Sequence, residues 1–310
     1  MHTILGANGI IGEQLAKSLR AEYTESIRLV GRNPKRVHPN DQLFQADLLN
    51  PGQVKQALEG AEIAYLTVGL PYNSEIWLRD WERIMEYVIK GCKTVGCKLV
   101  YFDNTYGYPQ DVSEQTESTP LVSTGKKGTA KRETAEMLLQ AMRDKEVEAV
   151  ICRAPEFYGP GKTKGFTNIL VFEHLRQGKK PKVFLRDDVK RTLIYTPDAG
   201  RATALIANTP DAYGQTWHLP CDDNRLTYQE FMAEISSQLG RKVSYKVLGK
   251  TLLKLVALFN SNIKETQELF PRYMIDNIFD SSKFKRRFPE FEVTSYQNGI
   301  KEIIKDFSIK

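Results

Sequence analysis

Three glycines near the start of this 310-residue chain are spaced for phosphate chemistry. Gly6, Gly9 and Gly12 follow a predicted strand at 2–5 and open a predicted helix. The first glycine permits a tight turn, the second lets backbone amides approach a diphosphate, and the third allows close packing of helix on strand. The helix N-terminus adds unpaired N–H groups and a positive dipole end. The spacing predicts a dinucleotide site formed by Gly6, Asn8, Gly9, Ile10, Ile11 and Gly12.

A basic turn follows the second predicted strand, at 26–30. In NAD-binding proteins this strand commonly ends with an acidic residue that holds the ribose 2′-hydroxyl. Here Arg32 stands at that place, and Lys35 and Arg36 follow. Because a guanidinium forms charge-assisted hydrogen bonds with a phosphate, the turn favours NADP as the cofactor, with NAD as the alternative.

The elements that must position these residues alternate between strands and helices. Apolar residues recur at helical spacing at Ile11, Leu15 and Leu19, and again around Leu138. Parallel strands need crossover helices, so this alternation predicts a doubly wound α/β fold with a parallel (Rossmann) sheet. The predicted strands cover 2–5, 26–30, 42–46, 63–68, 99–103 and 148–153.

The second half of the chain has a looser pattern. It predicts a smaller mixed α+β lobe, with helices at 197–208, from 226–227 onward, over 249–270 and over 295–307, and strands at 216–219 and 243–247. We therefore expect a nucleotide-binding domain over 1–155 and a substrate-binding lobe over 156–310, partly interleaved with the sheet.

The composition excludes several classes of protein. An apolar content of 41% and a charged content of 26% are ordinary for a globular protein and argue against disorder. No apolar run reaches 18 residues, since Lys254 interrupts the stretch 252–259, so no membrane span is predicted. The net charge of +6 is mild, and the basic stretches lack interleaved aromatics. We expect a small-molecule substrate, with no nucleic-acid or membrane partner.

The cysteines and histidines give no sign of a metal site. The four cysteines contain no CxxC pair, which favours buried thiols in a reducing compartment. The four histidines have no partner at metal-ligand spacing. Since the chain also opens directly on a strand pattern, without a signal-peptide pattern, we expect a cytoplasmic protein and no metal.

The G-x-x-G-x-x-G spacing resembles that of the short-chain dehydrogenase/reductase superfamily, and in particular its extended branch of nucleotide-sugar epimerases and dehydratases. Further segments are similar in the same order: 47–48, 68–69, 153–161 and 191–198. The resemblance implies an NAD(P)-dependent oxidoreductase or epimerase-like enzyme for a small polar or nucleotide-linked carbonyl or alcohol, and a possible homodimer. It places Asp47, Leu48, Val68, Gly69, Ala154 and Phe157 at the cofactor, and Tyr158 and Arg191 at the substrate.

The chain departs from these relatives where the proton-transferring residues should lie. The family uses a tyrosine in Y-x-x-x-K, whose phenol pKa is lowered by the lysine. On the predicted helix at 126–142, one alignment puts Gly128 and Arg132 at those positions. A second alignment puts Ser123 and Lys127 there. Neither contains the tyrosine.

Two interpretations of this departure stay open. In the first, Tyr106 or Tyr108 supplies the phenol, Lys127 or Arg132 lowers its pKa, and Thr105 or Asn104 orients the substrate. In the second, the protein is a catalytically silent NADP-binding sensor or regulator. A lyase or dehydratase that uses the cofactor transiently is a third alternative, and the tyrosines could also serve packing alone.

Overall fold

The computed structural model describes residues 1–123, 125–305 and 307. Its strands, in chain order, are β1 His2–Leu5, β2 Ile27–Gly31, β3 Gln42–Gln45, β4 Ile63–Leu66, β5 Lys98–Asn104, β6 Glu114–Gln115, β7 Ala149–Ala154, β8 Glu156–Tyr158, β9 Lys182–Phe184, β10 Lys190–Arg191, β11 Leu193–Tyr195, β12 Thr216–His218, β13 Leu226–Thr227, β14 Lys246–Leu248 and β15 Ile278–Phe279.

The α-helices of the described residues connect these strands. In chain order they are α1 Ile10–Glu22, α2 Pro51–Leu58, α3 Ser74–Val95, α4 Lys126–Arg143, α5 Glu173–Arg176, α6 Thr196–Ala207, α7 Tyr228–Gln238, α8 Lys250–Ala257, α9 Ser261–Thr266, α10 Phe270–Met274, α11 Ser282–Arg287 and α12 Tyr296–Lys305. A π-helical turn at Asn168–Phe172 precedes α5, and short 3₁₀ turns lie at Pro210–Ala212 and Gln267–Leu269.

Seven strands form one parallel sheet in the order β12-β7-β5-β4-β1-β2-β3. The order reverses beside β1, which pairs with β2 on one side and β4 on the other. Strands β1 and β4 are buried along their whole length, as expected for a sheet covered by helices on both faces. This arrangement confirms the predicted doubly wound α/β fold.

Two compact units divide the chain. The first comprises Met1–Tyr108, Pro120–Ala154 and Ala199–Leu219, and it contains the whole parallel sheet. The second comprises Pro109–Thr119, Pro155–Asp198 and the residues from Pro220 onward. The predicted boundary at 155 and the roles assigned to the two parts stay predictions.

The second unit contains short elements that the sequence pattern did not predict, among them β6, β9 and β15. The predicted helical stretch over 249–270 is divided into α8, α9, a 3₁₀ turn and the start of α10. The division falls at Asn260, whose side-chain oxygen accepts a hydrogen bond from the Ile263 N–H and so starts a new helix. Of the predicted last helix, residue 306 lies outside the described residues. In the described part of the chain, no helix is long and apolar enough to cross a membrane.

Candidate cofactor and active site

The glycine loop is held against the ends of two strands. Gly6 has a φ of +92°, and its N–H donates to the Val30 carbonyl over 3.0 Å. A Cβ on Gly6 would lie 2.4 Å from the Val68 Cα, and one on Gly12 would lie 2.8 Å from the Ala7 Cα. A Cβ on Gly9 would meet nothing closer than 3.6 Å. The first and third glycines are therefore required by backbone packing.

The N-terminus of α1 is open for an anion. Gly9 is its N-cap residue, and among the described residues no side chain caps the helix. Ile10 is half-buried and Ile11 is buried, and no described residue accepts from the N–H groups of this first turn. Such an end with no side-chain cap binds phosphate oxygens well. The loop fits the diphosphate of a dinucleotide.

The turn after β2 is tied to the glycine loop by Asn8. Its amide nitrogen donates to the Asn33 carbonyl over 2.7 Å, and its oxygen accepts from the Lys35 N–H over 3.0 Å. Arg32, Lys35 and Arg36 are exposed. In the described part of the chain, the Arg32 side chain has no hydrogen-bond or ion-pair partner. The Asn8 side chain thus fixes the backbone of this turn beside the glycine loop, and the basic side chains are left available for an anionic ligand.

Five of the other predicted cofactor residues lie in or after the ends of strands of the same sheet, whereas Phe157 lies in β8, which pairs with β11 in a separate two-stranded sheet of the second unit. Asp47 is exposed, and its carboxylate accepts from the Leu49 N–H over 3.0 Å, while Leu48 is buried. Val68 and Gly69 follow the end of β4, and Val68 is the residue that Gly6 packs against. Ala154 ends β7 in register with Asn104 of β5.

A chain of buried charges lies at the ends of β5 and β7. Lys131 Nζ is 2.9 Å from Asp103 Oδ1, and Arg153 Nε is 2.9 Å from Asp103 Oδ2. All three side chains are 3% exposed or less. Lys131 also donates to the Tyr101 hydroxyl and lies 3.8 Å from the centroid of the Trp81 ring. Two cations therefore share one carboxylate inside the first unit.

The charge of Asp103 is maintained by these neighbours. Burial alone would raise the pKa of its carboxyl, but the Lys131 ammonium and the Arg153 guanidinium outweigh burial and hold that pKa below its usual value. Desolvation in turn lowers the pKa of the Lys131 ammonium. Sequence reasoning missed Lys131 and Asp103, although both flank predicted site residues.

Tyr108 extends the buried chain. Its hydroxyl accepts from Arg153 Nη1 over 2.7 Å and lies 2.6 Å from His218 Nε2. Both Tyr108 and His218 are fully buried. Because Arg153 can only donate, the phenol proton of Tyr108 is directed to His218 when that ring nitrogen is unprotonated. The position of Tyr108 is thus determined by the core of the first unit.

Tyr106 has a different environment. It is half-buried, and its hydroxyl lies 2.9 Å from the hydroxyl of Tyr72, a residue in the loop after β4 that sequence reasoning missed. The buried Lys127 places its Nζ 4.9 Å from the centroid of the Tyr72 ring. Trp77 of α3 packs on both tyrosines, with centroid distances of 6.0 Å to Tyr72 and 5.2 Å to Tyr106. The structure therefore brings together two phenols that follow adjacent strands and an ammonium carried by α4.

The residues around Tyr106 complete this cluster. Asn104 is half-buried, and its Oδ1 accepts from the Tyr106 N–H over 3.1 Å. Thr105 is buried. The Asn104 side chain therefore fixes the backbone at Tyr106.

Helix α4 turns two of its three lysines inward. Lys127 and Lys131, one turn apart, are 2% exposed or less, whereas Arg132 is about one-third exposed and lies 3.2 Å from the Glu133 carboxylate. At Gly128 a Cβ would lie 1.9 Å from the Ser123 Oγ, so Ser123 occupies the space that a side chain would need. The helix thus has no room for a tyrosine at 128 in this conformation.

The predicted substrate residues lie in the second unit. Arg191 is 2% exposed, donates to the Arg272 carbonyl over 2.6 Å and pairs with Glu156 at 3.3 Å. Tyr158, in the same strand as Phe157, is buried, and among the described residues its hydroxyl has no hydrogen-bond partner. Both predicted side chains therefore belong to the core of that unit.

The open sheet and its glycine-rich turn define a nucleotide-binding Rossmann protein. Residues 2–219 match the family described as NAD dependent epimerase/dehydratase, and the chain belongs to that family. This assignment confirms the family expected from the motifs, and with it an NAD-dependent enzyme. It does not test the individual site residues.

Related proteins carry several activities. The chain is similar to a 2-alkyl-3-oxoalkanoate reductase of Shewanella oneidensis, at 23% identity over 97% of this chain and 84% of the relative. Its fold is similar to that of a UDP-glucuronic acid 4-epimerase of Bacillus cereus in complex with NAD, with a TM-score of 0.79, 14% identity and 99% of each chain covered. The fold is also similar to that of a dTDP-glucose 4,6-dehydratase of Streptomyces venezuelae with NAD bound, with a TM-score of 0.78, 16% identity, and 100% of this chain and 97% of the other covered.

Proposed function

We propose that this protein is an NAD(P)-dependent oxidoreductase or epimerase-like enzyme for a small polar or nucleotide-linked carbonyl or alcohol. The observation that carries the proposal is the cluster of Tyr72, Tyr106 and Lys127 at the carboxyl edge of the sheet. In doubly wound sheets, ligands bind at this edge, at the point where the strand order reverses. The relatives named as reductase, epimerase and dehydratase support the class of reaction.

Each part of the site has a separate task in this proposal. Gly6, Gly9 and the N-terminus of α1 hold the cofactor diphosphate. The bound cofactor accepts or supplies a hydride, the chemistry that the protein itself lacks. The Tyr106 hydroxyl gives a proton to the substrate oxygen during reduction and takes it back during oxidation.

Tyr72 and Lys127 assist this transfer. The Tyr72 hydroxyl lies 2.9 Å from that of Tyr106 and can pass its proton to the Tyr106 phenolate that forms when Tyr106 protonates the substrate. The Lys127 ammonium over the Tyr72 ring stabilises negative charge on the phenol pair. The pair thereby replaces the missing Y-x-x-x-K tyrosine, with Asn104 and Thr105 at the neighbouring positions.

A carbonyl panel tests the activity. NADPH oxidation is followed with nucleotide sugars, short 3-oxo compounds and simple ketones, for the wild type, Tyr106→Phe and Tyr108→Phe. We expect Tyr106→Phe to lower kcat at least a hundredfold, the size of a general acid–base contribution. Tyr108→Phe is the matched control, because the Tyr108 hydroxyl forms buried hydrogen bonds with Arg153 and His218. Unchanged kcat in Tyr106→Phe would remove this residue from the mechanism.

The preferred cofactor is NADP in our proposal. Exposed Arg32, braced into place through Asn8, is available for the 2′-phosphate, with Lys35 and Arg36 adding positive charge. We expect Arg32→Asp to weaken NADP binding by about 10- to 100-fold, because a charge-assisted hydrogen bond contributes about 1.5–3 kcal/mol. NAD binding should be kept, and Lys55→Asp, at an exposed site on α2, is the control. Equal loss for both cofactors would refute the assignment.

A silent NADP sensor is the second candidate, favoured by the filled space at Gly128. It predicts NADP binding, measured by protein fluorescence, without turnover of any compound in the panel.

We also propose that the first unit binds the cofactor and the second the substrate. We further propose that the protein acts in the cytoplasm, where its four buried cysteines, which form no disulfide among the described residues, stay reduced.

A further inference from the structure

One segment accounts for the whole net charge of the protein. Residues 241–264 contain six lysines and arginines and no acidic residue. Elsewhere the chain has 38 basic residues against 38 acidic ones, so it is neutral outside this segment. The basic residues are Arg241, Lys242, Lys246, Lys250, Lys254 and Lys264.

The same segment also concentrates exposed apolar side chains. Nine large apolar residues of the described chain are exposed, and five of them lie within 252–259. Phe259 is 88% exposed and Leu258 is 74% exposed. Clusters of this kind usually mark an interaction surface. The five residues, here called the apolar tip, are Leu252, Leu255, Val256, Leu258 and Phe259.

The geometry of α8 separates the apolar tip from the core of the second unit. Leu253 and Ala257, four residues apart, form the buried face of the helix. Leu252, Leu255 and Val256 of the helix are exposed outside this buried face, and Leu258 and Phe259 follow directly after the helix ends. Lys250 and Lys254 stand one turn apart beside the tip, and both are exposed. The helix is thus amphipathic, with its second apolar face uncovered among the described residues.

Neighbouring strands add to the positive charge. Lys246 of β14 is paired in register with Lys182 of β9. Like charges at directly opposed positions destabilise a strand pair. A surface that supplies negative charge at this place would relieve the repulsion.

We propose that α8 and the apolar tip dock the protein onto an anionic lipid surface. The tip residues would enter the boundary between headgroups and acyl chains, and the lysines would contact the acidic headgroups. Charge complementarity selects this partner, since an uncharged apolar partner would leave six cations without counter-charge. The proposal revises the sequence-based expectation of no membrane partner, and it is independent of the proposed enzymatic function.

Vesicle flotation tests the proposal with the full-length protein. Vesicles of phosphatidylcholine alone are compared with vesicles that also contain phosphatidylglycerol. We expect binding to the anionic vesicles only, and loss of binding when NaCl rises from about 0.1 M to about 1 M, which shortens the screening length from about 10 Å to about 3 Å. Lys250→Glu/Lys254→Glu should reduce binding at least tenfold, as each cation at such a surface contributes about fivefold.

Matched variants separate the apolar and the electrostatic parts. Leu258→Ser/Phe259→Ser should abolish flotation, whereas Val122→Ser, at a 54%-exposed apolar residue elsewhere, should not change it. Lys55→Glu/Lys145→Glu changes the net charge by the same amount at exposed positions and should also retain binding.

Two results would overturn the proposal. The first is no binding to anionic vesicles by the folded wild type. The second is a dimer in light scattering that Leu258→Ser/Phe259→Ser converts to a monomer, since the apolar tip would then be covered by a second copy of the chain.

Discussion

The buried carboxylate of Asp103 gives a sharp test of how the first unit is held together. Asp103→Asn keeps the shape of the side chain and removes its charge. It leaves the Lys131 ammonium and the Arg153 guanidinium, each 2.9 Å from the carboxylate in the wild type, without a counter-charge. Breaking a buried ion pair typically costs about 3–5 kcal/mol, a large part of the roughly 5–15 kcal/mol that stabilises a protein.

Tryptophan fluorescence reports the unfolding of this unit, because Trp77, Trp81 and Trp217 all belong to it. We expect Asp103→Asn to lower the midpoint of thermal unfolding by roughly 6–20 °C. Glu86→Gln, which breaks the exposed Glu86–Lys90 pair on α3, should have no measurable effect. A second substitution, Lys131→Met, should restore part of the stability by removing one unpaired cation. If Asp103→Asn stays within about 1 kcal/mol of the wild type, the buried charges do not stabilise the unit as argued.

The effect of pH on this difference has a defined sign. The pKa of Asp103 is lowered in the folded protein, so its contribution is present above the unfolded value near 3.9 and is lost as pH falls through the folded value. The gap between the wild type and Asp103→Asn should therefore be constant near neutrality and close only in strong acid. A gap that closes near pH 6 would contradict the lowered pKa.

Two further predictions concern backbone geometry and capping. Gly6→Ala should abolish cofactor binding and lower the midpoint of thermal unfolding, because its Cβ would lie 2.4 Å from the Val68 Cα at a φ of +92°. Gly9→Ala should fold normally, and equal midpoints for the two variants would refute the packing argument. Thr227→Ala should destabilise the second unit by about 1 kcal/mol in thermal unfolding, because the Thr227 hydroxyl and the Glu230 carboxylate form a capping box at the start of α7. An unchanged midpoint would show that water replaces the cap.

The fold of the first unit could be predicted because its signals are local. Strand and helix periods alternate along the chain, and Gly6 and Gly12 must be small because a Cβ on either would overlap the backbone of Val68 or Ala7. The basic residue Arg32 could be placed by counting from the second strand. The family was evident for the same reason, since its motifs are short and their order is kept.

The proposed proton-transferring cluster could be predicted only in part, because the sequence indicated Tyr106 and Lys127 but not Tyr72. Tyr72 and Tyr106 are 34 residues apart and meet only because β4 and β5 are neighbours in the sheet. One alignment indicated Gly128 and Arg132, and the second indicated Ser123 and Lys127. The packing of α4 turns Lys127 and Lys131 inward and leaves Arg132 partly exposed.

What the sequence determined by itself is therefore the class of fold and the glycine-rich turn that follows the first strand. The tertiary structure decided which phenols and cations come together. The physical reason is that periodicity and turn chemistry are set by neighbours along the chain, while the rotation of a helix is set by what it packs on. Lys131 illustrates this, because its ammonium is accommodated in the core through the Trp81 ring of α3 and through the Tyr101 hydroxyl and Asp103 carboxylate of β5.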